Sequence, residues 1–348
     1  MTFYLKYRPQ TLQDLDILEV RESLTKIMSS SHTPHAFLFN GPKGTGKTSG
    51  ARIIAKILNC QNLQKNTPCD KCDSCLAIRQ GSFMDVMEID AASNRGIDEI
   101  RDLKEKIRLA PVSGKNKVYI IDEVHMLTNE AFNALLKTLE EPPVHVTFIL
   151  ATTEPDKLPQ TIISRCVRFN FRKAKVEEIV HALERVCIGE KLKIEREVLS
   201  LIAASCDGSF RDATKILEQA ISESSLTPEK LQIMIGRDGI NITGFMELLR
   251  AKKTGELLTE IEIMEKQGKD FKFLVAGILD FLHALLLCQY GALDDKIFTD
   301  KWKDKFEIAD INGLIGMFSK VYTDMKYSYS SSLTVQLAVV EWCGEPKN

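Results

Sequence analysis

Apolar residues in the first half of the chain gather in short unbroken runs, and stretches with helical spacing separate them. Ala36-Phe37-Leu38-Phe39 is the first run, and Ser49-Gly50-Ala51-Arg52-Ile53-Ile54-Ala55-Lys56-Ile57-Leu58 behind it repeats with the period of a helix. Lys117-Val118-Tyr119-Ile120-Ile121 is the second run. Residues 130–139 then read as a helix that Glu140-Glu141-Pro142-Pro143 stops, and His145-Val146-Thr147-Phe148-Ile149-Leu150-Ala151 is the third. Strand, helix, strand in this order predicts an α/β fold whose parallel sheet carries helices on both faces. From Lys173 onward strand signals are scarce. Residues 176–186, 195–205 and 211–222 read as helices, up to a break at Gly236-Arg237-Asp238-Gly239, and residues 243–343 are again mostly helical. The pattern predicts an α/β domain over 1–172, a small helical domain over 173–238 and a second helical domain over 239–348.

The most hydrophobic stretch, 273–287, is interrupted by Asp280 and His283 and falls short of the ~20 residues a membrane span needs. Phe271, Leu274, Val275, Ile278, Leu282, Leu285 and Leu286 recur at helical spacing, which predicts a helix buried in a bundle or a subunit interface. The first residues, Met1 to Pro9, lack the basic and apolar regions of a secretory signal, so the expected location is cytoplasmic, with no membrane partner. The 46 Lys and Arg balance 48 Asp and Glu. Any nucleic-acid binding therefore has to come from local basic surface. Residues 95–117, with seven basic residues against four acidic ones, are the one hint of it, and an ordinary charged helix face explains them as well.

Chemistry enters directly after the first apolar run. Gly41-Pro42-Lys43-Gly44-Thr45-Gly46-Lys47-Thr48 is a complete G-x-x-x-x-G-K-[ST] phosphate loop, placed where a strand turns into a helix. Glycines let backbone N–H groups curl around an anion and the helix N-terminus adds positive potential. Lys47 can reach terminal phosphates, and Thr48 can ligate magnesium. The second run ends on Asp122-Glu123, two carboxylates at the C-terminal end of a strand, where nucleotide sites form. In phosphate-loop ATPases the first acid orients magnesium and an adjacent glutamate polarises the attacking water, roles that fit Asp122 and Glu123. A Gly-rich turn and a solvated acidic turn are the bland alternatives, and the two motifs together argue against both. Thr153, at the end of the third run, could contact the terminal phosphate or the water, or be a plain turn residue.

Four of the nine cysteines, Cys60, Cys69, Cys72 and Cys75, are spaced C-x8-C-x2-C-x2-C. Such spacing lets four thiolates share one tetrahedral zinc. Disulfides compete as an explanation but fit a reducing compartment poorly. Four thiolates leave no open position, so the expected zinc is structural. Cys166, Cys187, Cys206, Cys288 and Cys343 are scattered and read as core residues.

Taken in order along the whole chain, several strings resemble the gamma/tau family of bacterial DNA polymerase III subunits, the motor ATPases of the sliding-clamp loader. They are Tyr7-Arg8-Pro9, the phosphate loop, the cysteine insertion at about 59–80, Ile121-Asp122-Glu123-Val124-His125-Met126-Leu127, and Phe132-Asn133-Ala134-Leu135-Leu136-Lys137-Thr138-Leu139-Glu140-Glu141-Pro142-Pro143. Ser164-Arg165-Cys166 and Gly208-Ser209-Phe210-Arg211-Asp212 complete the set. The resemblance implies an AAA+ module: a RecA-like ATPase domain, a helical lid, and a collar that assembles a pentamer with delta- and delta-prime-like subunits. It implies ATP with magnesium as ligands, and the sliding clamp and primed DNA as partners. It makes Tyr7, Arg8, Pro9 and residues 41–49, Ser49 included, the nucleotide contacts. Thr153 becomes a first sensor, Arg211 a lid sensor acting in cis, and Arg165 an arginine finger acting in trans on a neighbouring subunit. The family's Val-Gly-Gln box, which helps seat adenine, is replaced by Asp16-Ile17-Leu18. Longer members extend past the collar to bind helicase and polymerase, and the expectation for a chain ending at Asn348 is that those tethers are missing. Three rival functions share parts of the pattern. A DExH-type helicase fits Asp122-Glu123-Val124-His125 but needs a second RecA-like domain where this chain is helical. A non-hydrolysing subunit of the same complex, or a zinc-dependent DNA-binding regulator, would not need Lys47, Thr48, Asp122 and Glu123 intact.

Overall fold

The computed structural model describes residues 2–30, 33–93, 105–235, 240–292, 298, 302 and 305–344. The break expected at Gly236-Arg237-Asp238-Gly239 and the first part of the basic stretch 95–117 lie outside the described residues. The chain forms two compact units, Met1–Ser224 and Ser225–Asn348.

The first unit is built on a parallel sheet. Its strands are β1 (Ala36–Asn40), β2 (Val86–Asp90), β3 (Lys117–Asp122), β4 (Val146–Thr152) and β5 (Val167–Asn170), in the spatial order β2-β3-β4-β1-β5. Every neighbouring pair is parallel, with Leu38 opposite Leu150 in the centre and Asp90 opposite Asp122 at one end. The central strands are buried on both faces, which is why β1, β3 and β4 read as continuous apolar runs. The edges differ. Val-Met-Glu-Ile-Asp in β2 and Val-Arg-Phe-Asn in β5 mix charged and apolar residues because an edge strand is half solvated, and the sequence pattern missed both.

Helices cover both faces, as predicted. One core layer joins Phe37, Phe39, Val118, Ile120, Ile149 and Phe169 to α2 (Leu18–Met28) and α3 (Lys47–Asn59). The other joins Leu38, Tyr119, Ile121, Phe148 and Leu150 to α5 (Asn129–Glu140), while α4 (Asp73–Gln80) begins just after Cys72 and carries Cys75 of the cysteine cluster. A short N-terminal helix, α1 (Phe3–Lys6), precedes them, and α6 (Gln160–Ile163) precedes β5. Three further helices, α7 (Val176–Glu190), α8 (Arg196–Ala204) and α9 (Phe210–Ser222), complete the unit and pack on one another.

The second unit is helical: α10 (Pro228–Met234), α11 (Ile242–Arg250), α12 (Thr254–Lys266), α13 (Phe271–Gln289), α14 (Ile308–Asp324) and α15 (Ser331–Cys343). α13 is long and apolar enough to cross a membrane by length and composition. Its residues Phe271, Leu274, Val275, Ile278, Leu282 and Leu285 are instead buried against α11, α14 and α15 in the core of this unit, the packing its periodicity predicts.

Candidate nucleotide site

The loop Gly41–Gly46 leaves the C-terminal end of β1 and runs into α3, so Lys47 and Thr48 open the helix, next to the point where the chain's strand order reverses. Two glycines are required here by geometry. Gly41 has φ +147° and packs so closely on Phe171 that a Cβ would lie 2.0 Å from its carbonyl oxygen. Gly44 has φ +81°, and a Cβ there would strike Ser209 Oγ at 2.1 Å. The second approach joins the loop to α9, and Phe210 N–H donates to the Gly44 carbonyl at 3.1 Å.

Around this loop lies a cavity of about 420 Å³ within the first unit. Tyr7, Arg8, Pro9, Lys43, Gly44, Thr45, Gly46, Lys47, Thr48, Ser49, Asp122, Glu123 and Arg211 all line it, which gathers most of the sequence-predicted residues at one place. Lys47 is buried, which lowers its pKa, and its ammonium donates to the carbonyls of Gly41 at 2.7 Å and Pro42 at 2.8 Å. Thr48 Oγ1 donates to Asp122 Oδ2 at 2.9 Å, so the hydroxyl and the carboxylate expected on magnesium are already adjacent. Arg8 donates from Nε to Ser49 Oγ at 3.0 Å. Burial, then repulsion from Arg52 and Arg211, pulls its pKa down to about 10. Cations thus converge on the cavity at an electrostatic cost that a bound polyphosphate relieves.

Glu123 occupies the left-handed region, φ 47° and ψ 44°, a strained state for a side chain of this size. Its Oε2 accepts from Thr153 Oγ1 at 3.0 Å and from Thr153 N–H at 3.3 Å. Thr153 therefore touches the second acid rather than lining the cavity. The buried His125 sits between Glu123 at 3.5 Å and Glu154 at 3.3 Å, with Nδ1 3.0 Å from Thr152 Oγ1. Arg165 is not brought to this cavity. It follows α6, pairs with the Glu140 carboxylate and donates to Thr161 O at 2.6 Å.

The same cavity is also lined by Leu15, Ile17, Val20, Ala182, Val186 and Phe210, with Asp16 and Arg185. Asp16 is nearly buried. Arg185 donates to both its oxygens, at 2.5 and 2.6 Å, and His181 Nδ1 lies 2.7 Å from Oδ1. The pattern marked Asp16 only as a departure. Arg185 reads in sequence as an ordinary solvated position of an amphipathic helix, and Tyr4, which also lines the cavity and lies under the Arg211 guanidinium at 6.0 Å, carries no motif signal. Asp90, at the end of β2, also lines the cavity and went unread because β2 did.

Cys60, Cys69, Cys72 and Cys75 bring their sulfurs within 4.8 Å of one another. Four thiolates ~2.3 Å from one zinc stand just under 4 Å apart, so small side-chain rotations suffice. Main-chain N–H groups already face the sulfurs: Cys69 N–H lies 3.3 Å from Cys60 Sγ and Cys72 N–H 3.4 Å from Cys69 Sγ. Such bonds, from Lys71 and Cys72, bring the Cys69 thiol down to about 6, whereas burial pushes the Cys60 and Cys75 thiols up, a cost that a bound metal would have to offset.

A phosphate loop, a strand-end acid pair and a helix whose first residues meet the loop define a nucleotide-binding protein of the AAA+ type. In agreement, the fold matches solved structures of Thermotoga maritima RuvB. One described as a Holliday junction branch migration motor aligns with a TM-score of 0.51 over 74% of this chain and 85% of that one, at 16% identity. A family profile described as DNA polymerase III, delta subunit, matches residues 18–175, and one described as DNA polymerase III clamp loader subunit, ATPase lid domain, matches residues 178–225. The chain is 38% identical to the DNA polymerase III subunit gamma of Buchnera aphidicola subsp. Acyrthosiphon pisum over 87% of its own length and 85% of that protein. It is 39% identical to the subunit tau of Bacillus subtilis over 98% of its length, which is 62% of that relative. The chain belongs to the DNA polymerase III gamma/tau family.

Proposed function

We propose that the chain is the ATP-driven motor subunit of a bacterial sliding-clamp loader, binding and hydrolysing ATP to place the clamp on primed DNA during replication in the cytoplasm. The observation that carries this reading is the convergence of Lys47, Thr48, Asp122, Glu123 and lid residue Arg211 on one cavity. In this reading the loop amides and Lys47 hold the phosphates. Thr48 and Asp122 would hold Mg²⁺, which supplies charge neutralisation at the phosphoryl oxygens. Glu123 orients and deprotonates the attacking water, and Thr153, bonded to the same carboxylate, couples that base to the state of the site.

Arg211 acts in cis from the lid, and Arg165 acts in trans, its guanidinium leaving Glu140 for the phosphate of a neighbouring subunit. The three-part division 1–172, 173–238 and 239–348 belongs to the same proposal, with the last part as a collar holding delta- and delta-prime-like subunits and further copies of this chain. Zinc on the four cysteines is structural. The family's polymerase and helicase tethers form no part of the proposal.

Co-purification with the partner subunits, followed by mass measurement of the intact complex, tests the assembly. A mass that fits only the chain alone would count against it. Mixing Arg165→Ala chains with Lys47→Ala chains tests the finger. Assemblies of both should hydrolyse ATP where the two meet, and mixed assemblies no more active than either variant would remove the trans role.

A further inference from the structure

Lys56 stands in the interior of α3 with 1% of its surface exposed, a costly position for an ammonium unless it is paired. It is paired twice, with the Asp70 carboxylate and with Gln10 Oε1 at 2.5 Å. Asp70 sits in the cysteine loop between Cys69 and Lys71, in a left-handed conformation with φ +56°. Gln10, on the other side, donates from Nε2 to the Arg8 carbonyl at 2.7 Å, and Arg8 lines the nucleotide cavity with its Nε on Ser49 Oγ. A continuous run of hydrogen bonds therefore leads from the cysteine cluster through Asp70, Lys56 and Gln10 to Arg8. Neither Asp70 nor Lys56 belongs to the phosphate loop or to the four sulfurs, so neither task accounts for the connection.

We propose that this run makes nucleotide affinity depend on the metal state of the cysteine module. When the thiolates are held together, residues 69–72 are fixed and Asp70 anchors the Lys56 ammonium. Lys56 then fixes the Gln10 amide, which holds the main chain at Arg8. When the thiolates are released, Lys56 is still buried but loses its counter-charge, and Arg8 loses one of its two tethers. Lys56 and Asp70 are positioning residues. The inference rests on the readings of the cysteines as a zinc site and of the cavity as a nucleotide site.

The test is equilibrium binding of a fluorescent ATP analogue to the full, reduced chain, as purified, after chelation and after zinc is restored, with zinc content measured in each sample. The chelated chain should bind roughly 5- to 10-fold more weakly, within the usual range of coupling between sites, and restored zinc should recover the affinity. Asp70→Asn should keep its zinc yet bind as weakly as the chelated chain and respond no further to chelation, while Asp70→Glu should recover part of the loss. Equal affinity with and without zinc in a folded chain overturns the coupling, as does wild-type affinity in zinc-loaded Asp70→Asn. If chelation unfolds the protein, the Asp70→Asn comparison decides alone. A chain that neither holds nor takes up zinc overturns the metal reading together with the coupling, and a zinc-loaded chain that does not bind the analogue overturns the nucleotide reading.

Discussion

Replacing Asp16 with alanine tests how much the Asp16–Arg185 pair that lines the cavity contributes to stability. The Asp16 carboxylate is 5% exposed and the Arg185 side chain 31%, joined by two bonds of 2.5 and 2.6 Å, with His181 on the same carboxylate. Removing one partner of a fully buried pair costs ~3–5 kcal/mol, and losing an exposed pair costs ~0.2–1 kcal/mol. Arg185 is nearly a third exposed and can turn its guanidinium partly to water, so the loss should fall between, at about 1.5–3 kcal/mol. For a unit of this size each kcal/mol lowers the melting temperature by roughly 2–4 °C, which gives a drop of about 3–12 °C. Thermal unfolding of Asp16→Ala, Arg185→Met and the double variant supplies the cycle. The double variant should be no less stable than Asp16→Ala, because it strands no charge. An unchanged melting temperature in both single variants would refute the argument, and so would losses that simply add in the double variant.

Lys47→Ala should abolish productive ATP binding, whereas Glu123→Gln should bind and retain ATP because only the water-activating carboxylate is lost. Normal turnover by Glu123→Gln would remove Glu123 from its role. Purified reduced protein should carry about one zinc per chain by elemental analysis, and Cys72→Ser should lose the metal and local stability, since structural zinc supplies folding free energy. With Asp16-Ile17-Leu18 in place of the adenine-seating box, competition binding should find weaker discrimination between ATP and GTP than the family pattern implies. A strong ATP preference would mean that other residues, Tyr7 and Arg8 among them, rebuild the seat.

The central strands and the phosphate loop were legible because each obeys a local rule. β1, β3 and β4 are buried on both faces, and the loop's glycines answer to φ values and close approaches that only glycine accepts. Edge strands β2 and β5 follow no such rule, and Asp90 was lost with β2. The four cysteines declared themselves by spacing, but Lys56 did not. A lysine in an amphipathic helix reads as solvated, and its burial depends on Gln10 and Asp70, which only the tertiary fold brings together. Arg185 and Tyr4 escaped for the same reason. Arg165 was legible only through the family resemblance, and it lies away from this chain's own cavity, paired with Glu140.

The most direct test of the central claim is steady-state ATP turnover by the chain assembled with its partner subunits, measured alone, with the sliding clamp, and with clamp and primed DNA together. Turnover should rise when clamp and primed DNA are both present and disappear when this chain carries Glu123→Gln. Turnover that ignores clamp and DNA, or that persists undiminished with Glu123→Gln, would contradict it.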